Sequence, residues 1–218
     1  MKTSELYDLS YTMAEPLLKD TTYPWEALSD IKSFITELGK TLDKSLYDEV
    51  GENIWIAKSA TVAPSASIAG PCIIGENTEV RHCAFIRGSV LIGKGCVVGN
   101  STEVKNSIIF DCVQIPHFNY VGDSVLGYKS HLGAGAVTSN VKSDKTLVTV
   151  SANGTKIETG LKKFGAMVGD FTEVGCHSVL CPGTVIGKNC TIYPTSMVRG
   201  YVEENSIFKA QDNIVAKK

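Results

Sequence analysis

The chain has 218 residues, 43% of them hydrophobic and 20% charged, an ordinary balance for a folded protein of one large domain or one domain with a small appendage. A formal net charge of −2 gives no bulk electrostatic drive toward nucleic acid, and no apolar run approaches the roughly 18 residues of a membrane-spanning helix. Seven cysteines without a Cys-x-x-Cys pair lack the commonest zinc and redox signatures, and the odd number speaks against a disulfide framework. Met1 to Glu5 lack the basic start and apolar stretch of a secretion signal, so a cytoplasmic location is expected, with neither nucleic acid nor membrane as partner.

Residues 1–52 form the first unit. Trp25, Leu28, Ile31, Ile35 and Leu38 recur at helical spacing, with Pro24 suited to a helix start and Gly39 to its end. This predicts an N-terminal helical segment whose apolar face packs on the rest of the chain or on a partner subunit.

Residues 53–205 form the second unit and carry a repeat. Aliphatic residues stand at every sixth position at Ile56, Val62, Ile68, Ile74, Val80, Ile86, Ile92, Val98 and Val104, and Phe110 extends the series. The period resumes at Leu126 and Leu132, and again at Val168, Val174, Leu180, Ile186, Ile192 and Val198. Glycine often follows the aliphatic residue, and a small residue stands four places after it, as at Ala60, Cys72, Thr78, Cys96 and Cys190. A period of six matches neither 3.6 nor 3.5, so helices are excluded. The pattern is that of a mainly β solenoid, a parallel β-helix in which each hexapeptide gives one short strand and a tight corner. Cys72, Cys96 and Cys190 are read as core packing rather than reactive thiols.

Within the rod, residues 141–163 break the repeat. Thr146 to Ala152 and Thr155 to Thr159 flank Asn153-Gly154, which predicts an inserted β-hairpin arm projecting from the rod. After Val202 the repeat fades, and residues 206–218 are expected to form a capping or partly disordered tail.

Arg87 and Lys105 lie 18 residues apart, three hexapeptides, so they should stack on one face of adjacent coils as a paired anion site. His117 follows Pro116 where the period stumbles. Histidine is the side chain best suited to take a proton near neutral pH, so it is a candidate general base. The segments His117-Phe118-Asn119-Tyr120-Val121-Gly122-Asp123-Ser124-Val125-Leu126-Gly127 and Gly133-Ala134-Gly135-Ala136-Val137-Thr138-Ser139-Asn140 are more specific than any single hexapeptide.

Over residues 54–209 these motifs resemble the acetyltransferase domain of the bifunctional glucosamine-1-phosphate acetyltransferase / N-acetylglucosamine-1-phosphate uridylyltransferase family. The arm and Lys162-Lys163-Phe164-Gly165-Ala166 look like its archaeal-type branch. With only about 50 residues ahead of the rod, too few for a nucleotide-binding domain, uridylyl transfer is expected to be missing. The resemblance implies a left-handed coil with three hexapeptides per turn, a homotrimer, and acetyl-CoA as cosubstrate bound between neighbouring rods. It implies N-acetylation of an amino-sugar 1-phosphate, glucosamine 1-phosphate or galactosamine 1-phosphate, with no metal required.

The resemblance also implies roles for single residues. His117 is the general base and Glu103 the carboxylate near it; Arg87 and Lys105 hold the phosphate; Tyr120 and Asn140 bond the sugar; and Lys163 is a further substrate lysine, with Lys162 competing for that place. Ala134 presents its backbone N–H to the thioester carbonyl, Cys176 lies near the CoA, and Lys209 can replace a C-terminal arginine that holds CoA in the bacterial relatives. The chain departs from those relatives at His131, where they have a substrate-binding asparagine, and at Cys176, where they have a serine.

Alternatives are acyl transfer to a nucleotide-linked amino sugar or another amine, and a non-catalytic hexapeptide scaffold. A zinc carbonic anhydrase on the same fold needs three histidines from adjacent coils, two of them close in sequence. His82, His117, His131 and His177 contain no such close pair.

Overall fold

The computed structural model describes residues 1–152 and 154–217, and the chain folds as a left-handed parallel β-helix with three faces per coil. The first face runs from Thr61–Val62 through Gln114–His117 and His131–Leu132 to Ser206–Ala210. The second runs from Ser67–Ile68 through Phe85–Ile86 to Met197–Val198, and the third from Ile54–Ala57 through Cys72–Ile74 to Tyr201–Val202. Two longer strands, Glu103–Ile109 and Tyr120–Leu126, pass from the second face onto the third without a break.

Inward residues stack one per coil along each face, as in Ile74, Ile92, Ile109, Leu126, Val168 and Ile186, all fully buried. Each such side chain contributes about 1.5–3 kcal/mol on burial, which stabilises a rod only one coil wide. The expected series fails at Phe110: Ile109 pairs with Ile92, and Phe110 is buried one place later against the Tyr7 ring, 5.1 Å away. The cause is coil length. Val104 pairs with Val121, so that coil has 17 residues, whereas Ile86 to Val104 has 18. The missing residue is lost at the corner that the long strand passes through, where Asn106 takes φ +43°.

The third face is apolar on its outer side as well. Ile73, Leu91, Ile108, Val125, Met167 and Val185 point away from the rod axis and are buried. The N-terminal segment covers them, with the helix Ile31–Lys40 lying on the strands Cys72–Ile74, Val90–Ile92 and Glu103–Ile109. The single helix expected from Pro24 to Gly39 is instead a 3-10 turn, Pro24–Ser29, and an α-helix, Ile31–Lys40. Asp30 breaks them at φ −105°, ψ −4°, its N–H donating to Ala27 O at 3.0 Å. Gly39 does not end the helix; a Cβ there would stand 2.3 Å from the Trp55 ring, so glycine allows the helix to sit on that indole. Among the described residues, no helix is long and apolar enough to cross a membrane.

Two hairpins close the rod. Tyr47–Gly51, within the segment expected to be helical, pairs antiparallel with Ile54–Ala57. At the other end Asn213–Ala216 folds back on Ser206–Ala210. The inserted coil, Leu126 to Val168, contains the antiparallel pair Thr149–Ala152 and Thr155–Glu158. Of the expected Asn153-Gly154 turn, Asn153 lies outside the described residues. The arm lies along the rod rather than projecting from it, because Val148 and Val150 are fully buried. Gly183 and Gly200, each at φ +80°, admit its backbone: an added Cβ on either would stand 2.8 Å from Thr149 O or Ser151 O.

Candidate functional site

The corner between the first and second faces stacks Asn100, His117, Ala134 and Cys176 on successive coils. Each carbonyl accepts from the next coil: Asn100 O from Phe118 N at 2.9 Å, His117 O from Gly135 N at 3.0 Å, and Ala134 O from His177 N at 2.8 Å. His117 is exposed and its ring has no hydrogen-bond partner among the described residues. Phe118 beside it takes φ +51° and is 60% exposed. The Ala134 N–H likewise has no acceptor among the described residues, leaving a backbone donor one coil from the imidazole. Cys176 is exposed, and its Sγ would stand 3.0 Å from a Cβ added to Gly133.

Asn119 fixes this corner. Buried, it donates from Nδ2 to Gly133 O at 2.8 Å and to Ala136 O at 3.0 Å, while its Oδ1 accepts from His117 N at 3.1 Å. One amide thus ties the His117 backbone to the Gly133–Ala136 turn.

On the adjoining second face, Ile86 pairs with Val104, which places Arg87 and Lys105 side by side on successive coils. Neither cation is bare. Arg87 Nη1 lies 2.6 Å from Glu103 Oε1, and Lys105 Nζ lies 3.3 Å from Asp123 Oδ2. The hydrogen bond and charge of Glu103 push the Arg87 guanidinium further up from its ordinary value. Asp123 is buried at φ +50° and also accepts from Asn106 Nδ2 at 2.9 Å and from Asn140 Nδ2. Asn140 Nδ2 donates as well to the Tyr120 hydroxyl at 3.1 Å. Burial, then the Asp123 and Glu103 carboxylates, push the Tyr120 phenol up. Arg87, Glu103, Lys105, Tyr120, Asp123 and Asn140 therefore form one connected polar surface beside the His117 corner.

Lys163 is exposed where the chain returns from the arm. The residues after it are anchored to the same surface, Phe164 N donating to Asn140 O at 3.0 Å and Gly165 N to Asp123 O at 2.8 Å. Lys209 stands further along the first face, stacked over Tyr193 with its Nζ 5.9 Å from the ring centroid. It is three coils from Gly133, about 14 Å at the usual strand spacing.

Two sequence-predicted neighbours are apart. The Glu103 side chain hydrogen-bonds Arg87, and no bond joins it to His117 among the described residues. His131 faces outward on the first face with Nδ1 2.8 Å from Glu173 Oε2, away from the Arg87 and Lys105 pair. Sequence reasoning assigns no role to Asp123 and Asn119, although both lie in the His117–Gly127 segment; their signal is a polar side chain at a place where the repeat loses its period. Among the described residues, no three His, Cys, Asp or Glu side chains converge as a metal site would require.

Residues 68–202, more than half of the chain, match the family described as the GMPPB C-terminal domain. The chain belongs to that family. As a GMPPB C-terminal domain protein it is 31% identical over 202 residues to the bifunctional protein GlmU of Methanococcus maripaludis, covering 91% of this chain and 49% of that protein. It is 36% identical over 105 residues to the bifunctional sugar-1-phosphate nucleotidylyltransferase/acetyltransferase of Sulfurisphaera tokodaii, covering 48% of this chain and 26% of that one. The chain thus spans half or less of the length of these relatives. Among solved structures, UDP-N-acetylglucosamine O-acyltransferase (LpxA) of Moraxella catarrhalis aligns over 76% of this chain and 72% of its own, with 13% identity and a TM-score of 0.45.

Proposed function

We propose that this GMPPB C-terminal domain protein transfers the acetyl group of acetyl-CoA to the amine of an amino-sugar 1-phosphate. The observation that carries the reading is the placing of an unpartnered imidazole, His117, and a free backbone donor, Ala134 N–H, on one corner beside the Arg87 and Lys105 cations. The relative from Sulfurisphaera tokodaii, whose name pairs a sugar-1-phosphate nucleotidylyltransferase with an acetyltransferase, supports acetyl transfer by this part of the chain.

In this reading Arg87 and Lys105 take the phosphate, while Tyr120, Asn140 and Lys163 bond the rest of the acceptor. His117 removes a proton from the acceptor nitrogen as it attacks the thioester carbon. Negative charge grows on the carbonyl oxygen, where a donor such as Ala134 N–H is worth most. Collapse of the tetrahedral species breaks the C–S bond, and the CoA thiolate recovers the proton from His117. Cys176 and Lys209, further along the first-face side of the rod, flank the rest of the donor. Glu103 acts here through Arg87 rather than through His117.

Organisation follows the same reading. Residues 1–52 cover the third face and close one end of the rod, residues 53–205 carry acetyl transfer, and in the tail from 206 the described residues, to 217, close the other end. The site lies on an open outer face, so a neighbouring rod in a homotrimer would complete it, and the chain would act in the cytoplasm.

The test is acetyl-CoA consumption with glucosamine 1-phosphate, galactosamine 1-phosphate and unphosphorylated glucosamine. Turnover on one or both phosphates, with a much higher KM for the unphosphorylated sugar, is expected. No consumption with any acceptor would leave a scaffold.

A further inference from the structure

The inserted arm and the second face enclose a cavity of about 570 Å³ outside the surface described above. Its charged lining residues are Lys142, Asp144, Lys156 and Arg199, accompanied by hydroxyls such as Ser139 and Thr149. Lys142 is compensated, with Nζ 3.4 Å from Asp144 Oδ2. Lys156 and Arg199 have no carboxylate within ion-pair distance among the described residues. Two cations outside any ion pair share one concave space with the Lys142–Asp144 pair.

The fold brings them together through glycine. Ser151 O rests on Gly200, which has no Cβ to hold it off, and Lys156 is the cross-strand partner of Ser151. Lys156 is thereby set over the coil of Arg199. Bringing like charges together costs free energy that an anion of matching charge would return. The guanidinium fork and the surrounding hydroxyls suit a phosphate oxygen surface better than a lone carboxylate.

Arg199 also stands in the same outward column as Lys105, with the small residues Gly122, Ser139 and Cys181 between them. Four coils at the usual strand spacing separate the two cations by about 19 Å, too far for one phosphate to touch both. We infer that the cavity under the arm is a second anion subsite, which takes the phosphate or diphosphate of a nucleotide. That nucleotide is either the ADP portion of the acyl donor or a nucleoside diphosphate on the acceptor. Assigning it to a substrate rests on the acetyl-transfer reading; the subsite itself does not.

Inorganic pyrophosphate is the probe, titrated by calorimetry into the wild-type chain and into the double variant Arg199→Ala, Lys156→Ala. Both side chains are exposed, so the variant should fold, which circular dichroism checks. Two pyrophosphates per chain are expected for the wild type and one for the variant. Equal stoichiometry and affinity in both proteins, or no binding by the wild type, would overturn the subsite. Competition by 3′,5′-ADP or by UDP names the nucleotide. In kinetics, a rise in KM of about tenfold for acetyl-CoA assigns the group to the donor, and the same rise for a UDP-linked amino sugar assigns it to the acceptor. Unchanged KM for both overturns a role in substrate binding. Pyrophosphate binding without any acetyl-CoA turnover would keep the subsite and refute acetyl transfer.

Discussion

Lys105 Nζ lies 3.3 Å from Oδ2 of Asp123, a carboxylate 5% exposed that also accepts from Asn106 and Asn140. A buried acid therefore sets the position of two groups proposed to meet the acceptor, one for its phosphate and one for its sugar. Asp123 itself needs these donors, because an unpaired buried carboxylate is costly.

Removing Asp123 should accordingly damage both stability and binding. Asp123→Ala leaves Lys105 largely buried without a counterion and takes one of two acceptors from each of the Asn106 and Asn140 amides, which keep Leu28 O and the Tyr120 hydroxyl. A loss of about 2–3 kcal/mol in denaturant unfolding is expected, with a raised KM for the sugar phosphate. Asp123→Asn restores the volume but turns one donor against its neighbours, so it should recover only part of the loss.

Glu103 offers the opposite case. Its pair with Arg87 is substantially exposed on both sides, and such solvent-screened pairs contribute little to stability. Glu103→Gln should leave unfolding nearly unchanged. With the competing carboxylate gone, KM for the phosphorylated acceptor should fall by about threefold, at nearly constant kcat. A fall in kcat at constant KM would instead return Glu103 to the side of His117.

Gly39 tests packing against propensity. Alanine is the better helix former by about 1 kcal/mol, so on propensity alone Gly39→Ala would stabilise the helix Ile31–Lys40. The added methyl would meet the Trp55 ring, and overpacking of this kind costs about 1–3 kcal/mol. Net destabilisation is predicted. An unchanged or higher unfolding midpoint would show that the helix can lift from the rod without loss.

Cysteine reactivity should sort by burial. Burial pushes the Cys72 and Cys96 thiols up to about 12, so neither forms thiolate near neutral pH. Cys83 and Cys176 are exposed. Iodoacetamide on the native chain should label Cys83 and Cys176 and spare Cys72 and Cys96, as read by peptide mass spectrometry. Acetyl-CoA should protect Cys176 and leave Cys83 reactive; equal protection of both would detach Cys176 from the donor site.

The sequence made the rod legible because an inward aliphatic residue every sixth place admits few other folds. It also made the stacking of Arg87 over Lys105 legible, since they lie a whole 18-residue coil apart. The outer apolar column of the third face left a signal too, in doublets such as Ile73-Ile74, Leu91-Ile92, Val125-Leu126 and Val185-Ile186. Inward residues alone explain only one member of each doublet; the N-terminal segment explains the other. Asp123 and Asn119 were harder to read, since 17-residue coils remove the register by which a position is assigned inward or outward. The break at Asp30 and the contact of Gly39 with Trp55 depend on tertiary packing that helical spacing does not encode. Likewise, hairpin propensity located the arm, but only the close approach at Gly183 and Gly200 laid it along the rod.

If His117 is the base of an acetyl transfer to an amino-sugar 1-phosphate, steady-state CoA release should separate the wild type from His117→Ala. Turnover by the wild type is expected on at least one of the two sugar phosphates, with a kcat lower in the variant by roughly 10²–10⁴-fold and the fold intact by circular dichroism. Turnover by the variant at the wild-type rate would remove His117 from the chemistry.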